Sequence, residues 1–214
     1  MTINMKEKFC TIYLVRHGVT QANVLKKTQR PSEPLNATGF KQAQKIAKKF
    51  AKLHFAAAYS SDLMRAKQTA ETIAKTRKLE VSLTKMLRER FPNLKYGESL
   101  HDRKDLQEIY KKYLKLSPDK QWQTSIWGGE SNEEVVGRAF TYLRGLAEIN
   151  QGKTILVVTH SAAMKILLAH LGYLKRGDVE KYVFKNTGYA ILQSDGLSFN
   201  VKRVVGLVLK KVIV

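Results

Sequence analysis

The chain has 214 residues, 43% of them hydrophobic and 26% charged. That length suits one domain or at most two small ones, and the composition excludes a mainly disordered chain. The single cysteine, Cys10, excludes an intrachain disulfide and a cysteine-ligated zinc site, and fits a reducing, cytoplasmic setting. Lysine and arginine number 38 against 18 acidic residues, a formal net charge of +20. The excess is dispersed through both halves, so it favours anionic partners in general (phosphorylated metabolites, nucleic acid, acidic membrane) without choosing among them.

Residues 1–9 hold no apolar run, so no signal peptide is expected, and no stretch is long enough to span a bilayer. Residues 9–16, FCTIYLVR, are β-branched and aromatic with little alternation, which predicts a buried central strand ending at Arg16-His17-Gly18. Residues 19–36 are polar, contain Pro31 and Pro34, and read as a long loop. Residues 37–53 form an amphipathic helix, with Ala43, Ile46, Ala47 and Phe50 on one face and five lysines on the solvated face. A short strand over 55–60 precedes a helix over 63–76 that Ser61 or Asp62 would cap. Another short strand is expected at 81–83, and helices at 100–116 and 130–150, the second opened by a GGES turn.

Thr154–Thr159, TILVVT, is the second strong apolar run, and it too ends at a histidine, His160. Residues 161–171 are helical and apolar. Strands at 189–193 and 199–205 flank the turn Ser194-Asp195-Gly196, and 207–214 is a candidate for one more. With no repeats and no linker-like stretch, strands alternating with helices predict a single α/β domain over 1–214. The expected architecture is a three-layer α/β/α sandwich with a mostly parallel central sheet. Ligands bind beyond the carboxyl ends of such strands, where His17 and His160 would both lie.

Arg16, Arg65, His17 and His160 all fall at strand-to-helix junctions. If they converge, they make a cationic, donor-rich pocket suited to a dianionic phosphoryl group, with arginine forks matching its oxygens. A serine nucleophile elbow, a zinc-binding HExxH and a P-loop are all missing from the sequence.

Six segments in order resemble the histidine phosphatase (phosphoglycerate mutase-like) superfamily. They are RHGVTQAN at 16–23, PLNATGFKQA at 34–43, YSSDLMRAKQTAET at 59–72, LRER at 87–90, GGES at 128–131 and VVTHS at 157–161. The resemblance spans roughly residues 9–195. It implies a phosphohistidine mechanism with His17 as nucleophile. Arg16, Arg65 and His160 would bind the phosphoryl oxygens, Asn23 would add a donor, Ser161 would contact substrate, and Glu89 would exchange protons with leaving group and water. It implies no metal and no cofactor.

The chain departs from the pattern after the acid. Residues 90–95 intervene before Tyr96-Gly97-Glu98, so Glu98 is a rival to Glu89, and the second histidine is followed by Ser161-Ala162 where glycine is common. Phosphoglycerate mutases typically carry tryptophan before the first-motif asparagine, where this chain has Ala22, and a GxxxG after the acid, which it lacks. Hydrolysis of a small phosphorylated metabolite is therefore expected ahead of a mutase reaction. Residues 91–127 read as a cap-like helical insertion whose Tyr110, Tyr113, Trp122 and Trp127 either form a lid or pack on the core. A basic anion- or nucleic-acid-binding protein on this fold is the alternative from another class. Nucleic acid is disfavoured, since no RNP pattern, helix-turn-helix or basic arm is present. No membrane partner is expected. His54, His101 and His170 match no family position. Monomer and homodimer are equally open, the latter through an apolar edge strand at 204–214.

Overall fold

The first strand, β1 (Cys10–Arg16), carries apolar side chains on both faces. Cys10, Ile12 and Leu14 pack on one side of the sheet, Tyr13 and Val15 on the other. β4 (Thr154–Thr159) repeats this, with Ile155 and Val157 on one side and Leu156 and Val158 on the other. Strands buried on both faces read as continuous apolar runs, and they require a helical layer on each side.

The computed structural model describes residues 9–91, 93–99 and 103–210. β1 and β4 lie side by side and parallel in a six-stranded sheet. With β2 (Ala57–Ser61), β3 (Val81–Thr84), β5 (Tyr182–Ser194) and β6 (Phe199–Leu209), the order is β3-β2-β4-β1-β5-β6. The first four strands are parallel; β5 and β6 are antiparallel. This is the α/β class with a mostly parallel central sheet.

Helices α2 (Ala37–Lys49) and α3 (Met64–Ala74) cover one face through Ile46, Ala47, Ala66, Ala70 and Ile73. Helices α6 (Asn132–Ile149) and α7 (Ser161–His170) cover the other through Leu143, Leu146, Met164, Leu167 and Leu168. Each large aliphatic side chain so removed from water stabilises the fold by roughly 1.5–3 kcal/mol. The chain leaves β1 toward β2 and β3 over one face, and leaves β4 toward β5 over the other. The carboxyl ends of β1 and β4 therefore border a switch point in the sheet, where side chains converge on a crevice.

The sequence reading differs from the structure in several places. A short helix, α1 (Gln21–Val24), stands in the 19–36 loop, closed by reciprocal Thr20 and Asn23 bonds. The residue before α3 is Leu63, without a side-chain cap. Asp62 instead pairs with Arg88, and Ser61 has a different partner described below. β5 begins seven residues before the expected start, and β6 is one strand that runs through Gly206 at φ +84.

Helices α4 (Lys104–Leu114) and α5 (Pro118–Gln123) lie within the expected insertion. Trp122 joins a small core with Val135, Ala163, Ile166 and Val179. Tyr113 donates to the Gln121 carbonyl, and Tyr110 stacks between Tyr113 and Trp127. These aromatics pack among themselves and on the core. His101 and the 211–214 part of the expected last strand lie outside the described residues. Among those described, no helix is long and apolar enough to cross a membrane.

Candidate active site

Strand register fixes the centre of the site. Arg16 pairs with Thr159 across β1 and β4, and the His17 amide donates to the Thr159 carbonyl at 3.1 Å. The next residue of each strand is a histidine, so the two rings meet, centroids 5.0 Å apart and inclined at 62°. Both are buried.

The tautomer of His17 follows from its neighbour. Nδ1 lies 2.7 Å from the Gly18 carbonyl oxygen. A carbonyl only accepts, so Nδ1 carries the hydrogen, and in the neutral ring Nε2 keeps its lone pair. Burial foremost, then the charges of Arg65 and Arg16, push His17 well below its ordinary value of 6.5. The ring is thus neutral at physiological pH. His160 is pushed the same way, by burial first and then by Arg65, His17 and Arg16. Its Nε2 lies 2.9 Å from the Ser61 hydroxyl, which accepts from the Leu63 amide at 3.3 Å and so has its own hydrogen to donate to Nε2, the tautomer that leaves Nδ1 as the N–H donor.

The arginines come from either side of the histidines. Arg16 ends β1 and donates through Nη1 to the Phe184 carbonyl of β5. Arg65, in the first turn of α3, donates through Nη1 to the Arg30 carbonyl at 3.2 Å. Burial lowers both guanidinium groups to about 10, and Glu89 opposes the shift. Both therefore stay charged at neutral pH.

Among the described residues, three buried side-chain polar atoms have no hydrogen-bond partner: Arg16 Nε, Arg65 Nε and His160 Nδ1. All three belong to this cluster. A buried unmet donor costs about 1–3 kcal/mol, more when charged. Their concentration around one neutral imidazole therefore suits an anion that would satisfy them together.

Glu89 reaches the cluster from the loop after β3. Its Oε1 accepts from the Ala163 amide at 3.0 Å and from the Arg90 amide at 3.0 Å; its Oε2 accepts from the Ala162 amide at 3.2 Å. The free amides of the first turn of α7 thus anchor the carboxyl. Arg138 holds the same loop from α6, donating to the carbonyls of Met86, Arg88 and Glu89. Glu98, the rival acid, is tied to Arg103 at 2.7 Å and lines a separate depression.

The motif residues around the loop have visible positions. Asn23 Oδ1 accepts from the Thr20 amide, and Asn23 lines the cavity. Gln42 accepts from the Val19 amide, Gln68 from the Leu35 amide and Glu33 from the Ala22 amide, so side chains of both motif helices hold the loop. A Cβ on Gly39 would lie 2.1 Å from the Val19 carbonyl oxygen, and one on Gly18 would lie 2.6 Å from that of Gly39. The glycine of RHG therefore serves close backbone packing against α2. Ser161 turns its hydroxyl to the Phe184 amide of β5, 3.2 Å away. His54 is exposed, and His170 packs on Phe140 at 4.5 Å.

Sequence reasoning missed Ser61, Asn186 and Thr187. Asn186 Nδ2 donates to the His17 carbonyl at 3.1 Å and to Asn23 Oδ1 at 3.4 Å. Thr187 follows at φ +58, within a register shift of β5. A β-branched residue with positive φ is a genuine backbone outlier. The dipeptide carries no motif of its own; only the break in an apolar strand at Lys185-Asn186-Thr187-Gly188 hints at it.

A cavity of about 560 Å³ opens from Asn23, Arg65 and Glu89 toward solvent. A histidine phosphatase superfamily (branch 1) model matches residues 12–205. The chain belongs to the histidine phosphatase superfamily. It is 31% identical over 159 residues to the "Probable phosphoglycerate mutase GpmB" of Salmonella choleraesuis, covering 74% of this chain and 73% of that protein. It superposes on a phosphoserine phosphatase from Entamoeba histolytica in complex with phosphoserine with a TM-score of 0.77 and 26% identity, over 92% of this chain and 96% of that one. A phosphoglycerate mutase from Bacillus anthracis gives a TM-score of 0.75 at 24% identity, over 95% and 96%, which speaks to the fold alone. Superfamily membership supports a phosphatase or mutase enzyme.

Proposed function

We propose that the chain is a phosphomonoester hydrolase working through a phosphohistidine on His17. The carrying observation is the set of buried, unpartnered donors on Arg16, Arg65 and His160 around a ring whose Nε2 is free. In the first step the Nε2 lone pair attacks phosphorus, the bond from phosphorus to the ester oxygen breaks, and Glu89 gives that oxygen its proton. In the second, water attacks the phosphohistidine, its proton passes to the Glu89 carboxylate, the P–N bond breaks and inorganic phosphate leaves. Arg16, Arg65, His160 and the Asn23 amide hold the three phosphoryl oxygens through both steps. Removing one such donor typically costs about 10²–10³ in rate.

Hydrolysis is favoured over transfer by the state of the arginines at the cavity mouth. A mutase must retain a doubly anionic intermediate while the phosphoryl group changes places. Arg88 is forked onto Asp62 at 2.7 and 2.6 Å, and Arg138 onto Glu130 at 2.7 and 2.8 Å. Arg90 is taken by Glu180 and Asn132. These three charges are already answered by the protein.

The test is turnover of p-nitrophenyl phosphate with chelator present, beside the His17→Ala variant. Wild-type turnover that disappears in the variant supports the reading. Equal turnover in both, or phosphoryl exchange between phosphoglycerates without phosphate release, contradicts it.

A further inference from the structure

The cavity beyond the phosphoryl cluster says what the rest of the substrate is made of; this inference rests on the hydrolase reading. Pro31, Leu63, Phe91, Leu94 and Tyr96 line it. Phe91 and Tyr96 remain 48% and 49% exposed, large side chains left in water beside the reacting centre. Of the arginines in the same lining, Arg65 belongs to the phosphoryl cluster and Arg88, Arg90 and Arg138 are the three already paired; the remaining cations, Lys27 and Lys85, are exposed. Beyond Arg65 and Glu89, which face the phosphoryl group, the mouth thus offers apolar and aromatic side chains, with charge only at exposed lysines or in groups paired within the protein.

We propose that the alcohol part of the substrate is an apolar, ring-bearing group that packs on Phe91 and Tyr96 and carries no second phosphate or carboxylate. Burying an aromatic surface against these side chains supplies the binding free energy, and ring–ring contacts add to it. A small hydroxy-acid phosphate would leave both aromatics wet and place its carboxylate beside apolar groups. The volume, about 560 Å³, lies in the range that encloses a ring-sized ligand.

The experiment compares three phosphate esters of primary alcohols, so that the leaving groups are chemically similar: 2-phenylethyl phosphate, glycerol 1-phosphate and 3-phosphoglycerate. The expected kcat/KM for 2-phenylethyl phosphate exceeds the other two by about tenfold or more, the difference lying mainly in KM. Phe91→Ala and Tyr96→Ala are each expected to shrink that ratio toward one. A preference for 3-phosphoglycerate, or a ratio near one in the wild type, overturns the inference. If none of the three esters turns over, the hydrolase reading fails, and calorimetry of the same esters on the wild-type protein decides the mouth separately. Tighter binding of the phenylethyl ester upholds the apolar subsite; equal or weaker binding rejects it.

Discussion

His17 and His160 face each other with ring centroids 5.0 Å apart because they are the next residues after a parallel register pair, Arg16 and Thr159. The two strands that carry them are the central pair of the sheet, so each ring is positioned by a strand end. Rigid placement by strand ends suits a reaction in which the nucleophile and phosphoryl-binding groups must meet phosphorus within a few tenths of an ångström.

Ser61 is the hydrogen-bonding partner of His160 Nε2. Ser61→Ala removes that partner while leaving the strand intact. The expected result is a fall in kcat/KM of about tenfold and weaker inhibition by vanadate, with an unchanged circular dichroism spectrum. Unaltered kcat/KM would show that the hydroxyl does not orient the ring.

Asn186 ties the His17 carbonyl to the Asn23 side chain. Asn186→Ala frees both, and kcat is expected to drop by about ten- to a hundredfold, with a smaller change in thermal midpoint than a core truncation gives. Steady-state kinetics and calorimetry on the same preparation measure the two.

Glycine is required where α2 meets the loop after β1. Gly39→Ala sets a Cβ 2.1 Å from the Val19 carbonyl oxygen, a clash with backbone that no rotamer relieves. It is expected to cost about 1–3 kcal/mol, lowering the thermal midpoint by about 2–4 °C per kcal/mol in a chain of this size. Because the displaced loop carries Asn23, activity falls with it.

The pH dependence follows from the histidines. Both have folded values well below 6.5, lowered first by burial. Between the folded value and 6.5 the unfolded chain binds protons that the folded chain does not. Stability therefore rises with pH through that window and is lost on acidification, by up to about 1.4 kcal/mol per pH unit for each ring. The thermal midpoint is expected to decline from pH 6.5 downward. For the same reason the limb of kcat/KM set by protonation of His17 lies below pH 6.5. A limb at or above 6.5 would contradict a neutral buried nucleophile.

Much of this arrangement was legible in the sequence. β1 and β4 announce themselves because burial on both faces leaves long apolar runs, and the histidines follow directly. Arg65 stands out by its place at a strand-to-helix junction, and Glu89 by motif order. What escaped depends on distant pairing. The start of β5, YVFKNTG, carries Lys185, Asn186 and Gly188, which local propensity reads as loop; antiparallel pairing with β6 makes it a strand. Gly206 reads as a break, yet the chain passes through it at positive φ without leaving the sheet. Ser61 and Asp62 read as helix caps by type, but tertiary partners, His160 and Arg88, claim their side chains. The pairing of the mouth arginines, which bears most on substrate choice, joins residues as far apart as Arg90 and Glu180 and has no local signature.

The central claim is that the phosphoryl group passes through His17, and trapping it is the most direct test. The wild-type enzyme, mixed with a radiolabelled phosphomonoester and quenched in base, is expected to carry label that is stable to alkali and released by acid. Peptide mapping should place it on His17, and the His17→Ala variant should take up none. Label on another residue, or full turnover in that variant, would contradict the account.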